Sequence, residues 1–365
     1  MVMSTFGPHT VAEDIGQTYA GGGAEAPAPI RVVDLDPGVV VPAGFAPSES
    51  HDPTGEAALS SLQELAEARV TEDDTIGPVP VSVDGEGEIV KLGPTGRPRR
   101  TFPDPEVLTS HGPARVIAVC NQKGGVGKTT TTINLGAALA SFGRKVLLVD
   151  LDPQGALSVG LGVKPSGLDY TVKDLLIDHT IATQEALLKT AVPGMDLLPA
   201  DIDLAAAEVA LVSEVGREHF VAGILEPLLG DYDVILIDCQ PSLGLLTVNA
   251  LAAAHGVLIP LECEFFALRG VDLLLETMRK VVARINPQLQ IEGLLPTMFD
   301  GRTLHTREVV SVLVSKYGDA VFHTVINRTV KFPDASVAGE PINTFAPSST
   351  GAIAYRELAK EVLAK

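Results

Sequence analysis

The sequence predicts an α/β protein: a three-layer, mostly parallel sheet flanked by helices, preceded by an arm that builds no core. Two observations carry that fold class. From Ala114 to the end, short and nearly unbroken apolar runs alternate with helix-length amphipathic segments. Strands that read as continuous apolar runs are buried on both faces, as in a parallel sheet covered by helices. The polar motifs also fall at the carboxyl ends of the apolar runs, where open parallel sheets bind their ligands.

Residues 1–113 have a different texture. They are rich in Pro, Gly, Ala and acidic side chains, as in "GGGAEAPAPI" and "VDGEGEIVKLGPTGRPRRTFPDP". Large apolar residues are too sparse to offset the entropy of ordering, so this arm is expected to be largely disordered. One stretch, "EAALSSLQELAEARV", spaces Leu59, Leu62, Leu65, Ala66 and Val70 near helical period. It reads either as a docking helix or as a transient helix in a linker.

The second part, 114–365, is expected to be one domain. Its strand candidates are 115–120, 145–150, 195–199, 233–238, 256–263, 291–299 and 320–326. Helical patterns such as "TTTINLGAALASFG" and "GVDLLLETMRKVVARI" lie between most of them. The net charge of −19 is unevenly placed: the arm holds 18 acidic against 6 basic residues, a net of −12, which leaves −7 for the domain. Such a balance argues against general nucleic-acid binding while allowing a local basic patch. Cys120, Cys239 and Cys263 are odd in number and far apart, with neither disulfide nor metal spacing. They read as small buried residues in a reducing cytosol. No apolar run is long enough to span a bilayer, and the first residues do not read as a secretory signal.

The chemistry concentrates in "CNQKGGVGKTTT", residues 120–131. A phosphate-binding loop reads G-x-x-x-x-G-K-[ST], but Gln122 stands where the first glycine belongs, and a second lysine, Lys123, precedes Gly124. The loop Gly124, Gly125, Val126, Gly127 can curl its amides around phosphate oxygens, and the helix opening at Lys128, Thr129 and Thr130 adds its dipole. Lys128 would reach the β- and γ-phosphates, with Thr129 on Mg2+. Asp238, ending "VILID", is placed to hold Mg2+ through its water shell, with Pro241 and Ser242 in the loop that follows. After "VLLVD", Asp152 is the candidate for orienting an attacking water, and Asp150 reads as structural, fixing the loop.

With those residues in view, K-G-G-V-G-K-T-T, D-L-D-P-Q-G and "DCQPSLGLLTVNAL" resemble the ParA/Soj chromosome- and plasmid-partition ATPases. These are P-loop NTPases of the deviant Walker-A class in the MinD/ParA superfamily. "CEFFALRGVDLL", "PTMFDGRTLHTREV", "TVINRTVKFPDAS" and "GAIAYRELAKEVL" extend the likeness over 114–365. The resemblance implies ATP and Mg2+ as cofactors and a slow, partner-stimulated hydrolysis. It implies that Lys123 is the family's signature lysine, crossing a homodimer interface to the phosphates of the opposite subunit. It further implies an ATP dimer that binds DNA non-specifically and is released when a ParB-like protein stimulates hydrolysis, in the cytoplasm and on the nucleoid. Met298 and Asn327 would then lie on the adenine side.

Residues 301–331 carry Arg302, Arg307, Lys316, Arg328 and Lys331 against Glu308 and Asp319. Of these, Arg302, Arg307, Arg328 and Lys331 are the candidates for DNA phosphate contact. The chain departs from the family at three places. Gln240 stands in "DCQPS" where relatives read D-[TC]-P-P-S, "INRT" replaces "IPRN", and "DASV" replaces "EAPS". The alternative is a MinD-like, membrane-cycling positioning ATPase, which would end in a basic amphipathic helix. The terminal "AYRELAKEVLAK" mixes both charges, so no stable membrane association is expected.

Overall fold

The computed structural model describes residues 81–83, 89–264 and 267–365. All of them lie in the unit Asp73–Lys365. The helix expected within 56–70 lies outside the described residues. A small hairpin comes first, with β1 (Val81–Val83) antiparallel to β2 (Ile89–Lys91).

The sheet is then assembled in βα steps. β3 (Arg115–Val119) leads through the glycine loop into α1 (Lys128–Ser141), and β4 (Val146–Leu151) into the short α2 (Ala156–Gly160). Next come α3 (Val172–Ile177), β5 (Leu188–Lys189), β6 (Met195–Leu198), α4 (Leu204–Leu211) and α5 (Phe220–Leu225). The centre is completed by β7 (Val234–Cys239), α6 (Leu245–Ala253), β8 (Gly256–Glu262), α7 (Ala267–Arg284) and β9 (Gln290–Thr297). The chain closes with α8 (Leu304–Tyr317), α9 (Lys331–Ala338), α10 (Ile342–Phe345) and α11 (Thr350–Leu363).

Across the sheet the order is β5-β6-β4-β7-β3-β8-β9, and only β5 runs antiparallel, to β6. β3 and β4 therefore flank β7, while the chain reaches β8 on the other side of β3. This reversal of winding opens a crevice at the carboxyl ends of β3 and β7. The pleat sorts side chains between two cores. Val116, Ala118 and Cys120 face the layer of α3 to α8, whereas Ile117 and Val119 face α1 and α11. Both layers are apolar, which is why the strands read as unbroken apolar runs.

One expected strand fails. At 320–326 the pairing is a single bridge, Leu294 to Val321, and the Phe322 amide donates to the Leu294 carbonyl. The next two amides, of His323 and Thr324, donate instead to the buried carboxylate of Glu361 on α11, at 2.7 and 3.0 Å. A side chain has captured the groups a strand would need.

Contacts with the domain begin well before residue 114. The Arg97 guanidinium donates to the carbonyls of Val321 at 2.7 Å and Phe322 at 2.9 Å. Further along, Arg144 donates to the Glu106 carbonyl at 2.8 Å, Asp104 pairs with Lys360 at 2.8 Å, and His111 meets Asp233 at 2.7 Å. The Pro-rich stretch 97–111 thus runs across the domain, held by polar anchors rather than by a core of its own.

Candidate functional site

The phosphate loop bridges β3 and α1, and two of its glycines are required by geometry. Gly125 and Gly127 have φ of 76° and 88°, the left-handed region that a side chain disfavours. A Cβ built on Gly124 or Gly125 would meet nothing within 4 Å, so the loop borders open space rather than protein. Beneath it, Val126 is fully buried and its carbonyl accepts from Thr297 Oγ1 at 2.9 Å, tying the loop to β9. Gly127 caps α1 without a side chain, and the first turn of α1 carries no acidic residue. The positive end of a 14-residue helix is left for an anion.

The two lysines of the loop occupy opposite environments. Lys128 is buried, its ammonium donating to the Lys123 carbonyl at 3.2 Å, and burial pulls its pKa below the usual lysine value. Lys123 has a side chain 40% exposed and turned to the rim. There it meets Glu262 at 2.9 Å and Glu264 at 2.7 Å, and the bonds to Glu264 and Glu262 push its pKa up. The Lys123 amide donates to Asn121 Oδ1 at 3.0 Å. Gln122, where the missing first glycine belongs, is exposed.

Asp238 ends β7 fully buried. Its Oδ2 accepts from Thr129 at 2.7 Å and its Oδ1 from Thr132 at 3.3 Å. Burial, reinforced by Asp150, pushes its carboxyl pKa up to about 8. A carboxyl so strained in its charged form is stabilised by a divalent cation, and Thr129 and Asp238 together offer the oxygen donors that Mg2+ prefers. Among the described residues no trio of His, Cys, Asp or Glu is grouped to hold a metal. A cation here would draw its other ligands from phosphate and water. The residues present therefore fit a magnesium nucleotide.

Asp152 lies just past β4, buried, with its Oδ1 accepting from the Gln154 amide at 2.9 Å. Asp150 is structural, but it does not fix the phosphate loop. Its Oδ2 accepts from the Ser158 amide and hydroxyl at 2.9 and 2.7 Å, locking the turn into α2, and burial raises its pKa to about 6. Thr130 lies in the first turn of α1, its carbonyl accepting from Asn134 at 2.7 Å. Past β7, Pro241 is exposed, and the Ser242 hydroxyl accepts from the Gly244 amide at 3.2 Å.

Met298 and Asn327 come together at the carboxyl end of β9, beside the bridge between Phe299 and Asn327. Met298 is the one non-glycine with positive φ among the described residues, at 50°. The basic segment is less free than its sequence suggests. Arg302 is chelated by Asp300 at 2.8 and 2.9 Å, Lys316 pairs with Asp272 at 2.8 Å, and Arg328 pairs with Glu262 at 3.1 Å. Arg307 and Lys331 are exposed on α8 and α9.

Several residues of the site were not foreseen. Thr132 is one turn beyond Lys128 in the run of threonines, a spacing that could have flagged it. Glu262 and Glu264 gave no local signal, because their role depends on β8 lying beside β3. Cys120 and Cys239 meet across adjacent strands at 2.8 Å, and burial pushes the Cys239 thiol far up. Elsewhere, a cavity of ≈ 430 Å³ lined by Lys145, Met195, Asp196 and Tyr232 opens at the amino ends of the strands, away from this site.

The AAA domain family matches residues 114–291. An uncharacterised protein of Mycobacterium tuberculosis is 60% identical over 272 residues, covering 74% of this chain and 86% of that protein. The sporulation initiation inhibitor protein Soj of Bacillus subtilis is 46% identical over 250 residues, covering 68% of this chain and 98% of Soj. A solved Mycobacterium smegmatis protein, described as cobyrinic acid a,c-diamide synthase with bound ADP and magnesium, aligns at a TM-score of 0.61. It is 46% identical, with 68% of this chain and 94% of that one covered. The nucleotide and ion in that structure agree with the ATP and Mg2+ expected from the sequence. With the glycine loop, its two lysines and the strand-end aspartates in place, the chain belongs to the ParA/Soj family of partition-type P-loop ATPases.

Proposed function

We propose that this partition-type ATPase uses ATP and Mg2+ to form a homodimer that binds DNA non-specifically and is released on hydrolysis stimulated by a ParB-like protein. The division of labour between the lysines carries the reading. Lys128 is buried and committed to its own loop, whereas Lys123 is part-exposed at the rim, its ammonium paired with Glu262 and Glu264. Two nucleotides brought face to face repel, and a cation from each subunit offsets that repulsion. The pair with Glu264 is exposed, and exposed ion pairs are worth only about 0–1 kcal/mol, so Glu264 holds Lys123 weakly. In this reading Lys128, Gly124 to Thr130 and Asp238 hold the magnesium nucleotide, and Asp152 orients the attacking water. Met298 and Asn327 border the base, and Arg302, Arg307, Arg328 and Lys331 supply DNA contacts. Residues 1–113 act as an acidic arm outside this cycle.

The MinD-like alternative needs a basic amphipathic helix with a free apolar face; in α11 the apolar Tyr355, Leu358, Ala359 and Val362 are instead buried in the core. Among the described residues no helix is long and apolar enough to cross a membrane.

The test is Lys123→Ala, followed by light scattering and DNA retention across a salt series. The wild type should dimerise with ATP and retain DNA in a salt-dependent way. The variant should bind nucleotide yet stay monomeric and release DNA, and an unchanged ATP dimer would overturn the assignment. Phosphate release without any carboxylate acceptor separates this reading from the diamide synthesis that the name of the solved mycobacterial protein describes.

A further inference from the structure

Gln240 lies two residues beyond Asp238, and its side chain has a partner. Its Nε2 donates to both oxygens of Glu208 on α4, at 3.3 and 3.2 Å. The same carboxylate accepts from the Leu246 amide at 3.2 Å, in the first turn of α6. The residue capping α6 is Gly244, which offers no side chain, so Glu208 supplies from α4 the anionic cap the helix lacks. The approach is close: a Cβ on Gly244 would fall 2.5 Å from Glu208 Oε1. α4 is itself fixed by Leu204, Ala207 and Leu211, all buried in the core.

One carboxylate therefore holds both ends of the loop that follows the magnesium-binding strand. It takes Gln240 at the start and the α6 amino terminus at the finish. Within the loop, the Thr247 hydroxyl donates to the Ser242 carbonyl at 2.7 Å, closing it from inside. A proline at 240 has no group to offer Glu208. In this chain the loop is anchored to the sheet through Asp238 and to α4 through Gln240.

We infer that Glu208 is a positioning residue for hydrolysis: through Gln240 and the α6 cap it holds loop 240–246 in the geometry required for turnover. The inference rests on the ATPase reading. Its expected signature is a loss in kcat with little change in KM, because Glu208 bonds to Gln240 and the Leu246 amide rather than to Lys128 or the glycine loop.

The test is a charge swap in the full-length protein, read by steady-state phosphate release and thermal midpoint. Gln240→Glu sets two carboxylates against each other and should lower kcat roughly tenfold, the effect of one charge-assisted hydrogen bond, with KM within about twofold. Adding Glu208→Gln rebuilds the pair with donor and acceptor exchanged while leaving an oxygen for the Leu246 amide. The double variant should recover to within about threefold of wild type. Undiminished kcat in Gln240→Glu overturns the inference, as does a folded double variant that stays as slow as the single one. A wild-type protein that releases no phosphate would instead overturn the ATPase reading.

Discussion

Lys128 and Lys123 lie five residues apart in one loop, and the protein around them is built on different terms. Lys128 belongs to a floor of buried groups: Asp238 and Thr132, joined where the sheet meets α1, and Asp150, fixed by Ser158 of α2. Lys123 belongs to a rim of charges, with Glu264 and Arg328 exposed and Glu262 half-buried beneath them, where water and salt weaken the outer ion pairs. The floor is preorganised for a ligand bound within one subunit. The rim is held by weaker ties, and the proposed ATP dimer would require it to exchange them.

The sharpest way to break this comparison is Asp152→Asn. If the floor carries the chemistry, phosphate release should fall roughly a thousandfold, within the range for a lost acid–base or water-positioning group. Nucleotide affinity measured by calorimetry should stay within about threefold. A variant that keeps its rate would move the hydrolytic role elsewhere. Next is Lys128→Ala, which should weaken ATP binding about a hundredfold, because a buried ammonium facing phosphates makes charge-assisted bonds that water does not replace. Lys123→Ala in the same titration should leave affinity nearly unchanged, and equal losses from both lysines would erase the distinction between floor and rim.

The smallest effect concerns pH. The Asp238 pKa is raised to about 8 from its ordinary 3.8, so between pH 4 and 8 the folded protein keeps a proton that the unfolded chain has released. This group's contribution to stability therefore declines as pH rises through that window. The thermal midpoint of metal-free protein should fall more steeply from pH 6 to 8.5 than that of Asp238→Asn, by a few degrees. Mg2+ with ADP should flatten the difference. Identical slopes would show that the carboxyl is not held protonated.

How much of this was legible in the sequence follows the same division. The floor was readable because the glycine loop, Thr129 and the strand-end aspartates sit at fixed offsets from the strands that carry them. The central strands came out within a residue or two, since burial on both faces leaves an apolar signature. What was not legible depends on elements meeting across the fold. Glu262 reaches Lys123 because β8 pairs with β3, Glu208 of α4 reaches Gln240 in the loop after β7, and Glu361 unmakes the strand expected at 320–326. The two-residue β5 was missed because Leu188 and Lys189 are too short a run to show a period.

Arg97 gives the early segment a practical meaning. A shortened protein starting at Ala114, where the apolar texture begins, would strip the guanidinium from the Val321 and Phe322 carbonyls and the Glu106 carbonyl from Arg144. Part of any defect in such a protein would then come from a damaged domain rather than a missing arm. A cut ahead of Lys91 keeps those anchors, and only that cut tests the acidic arm by itself.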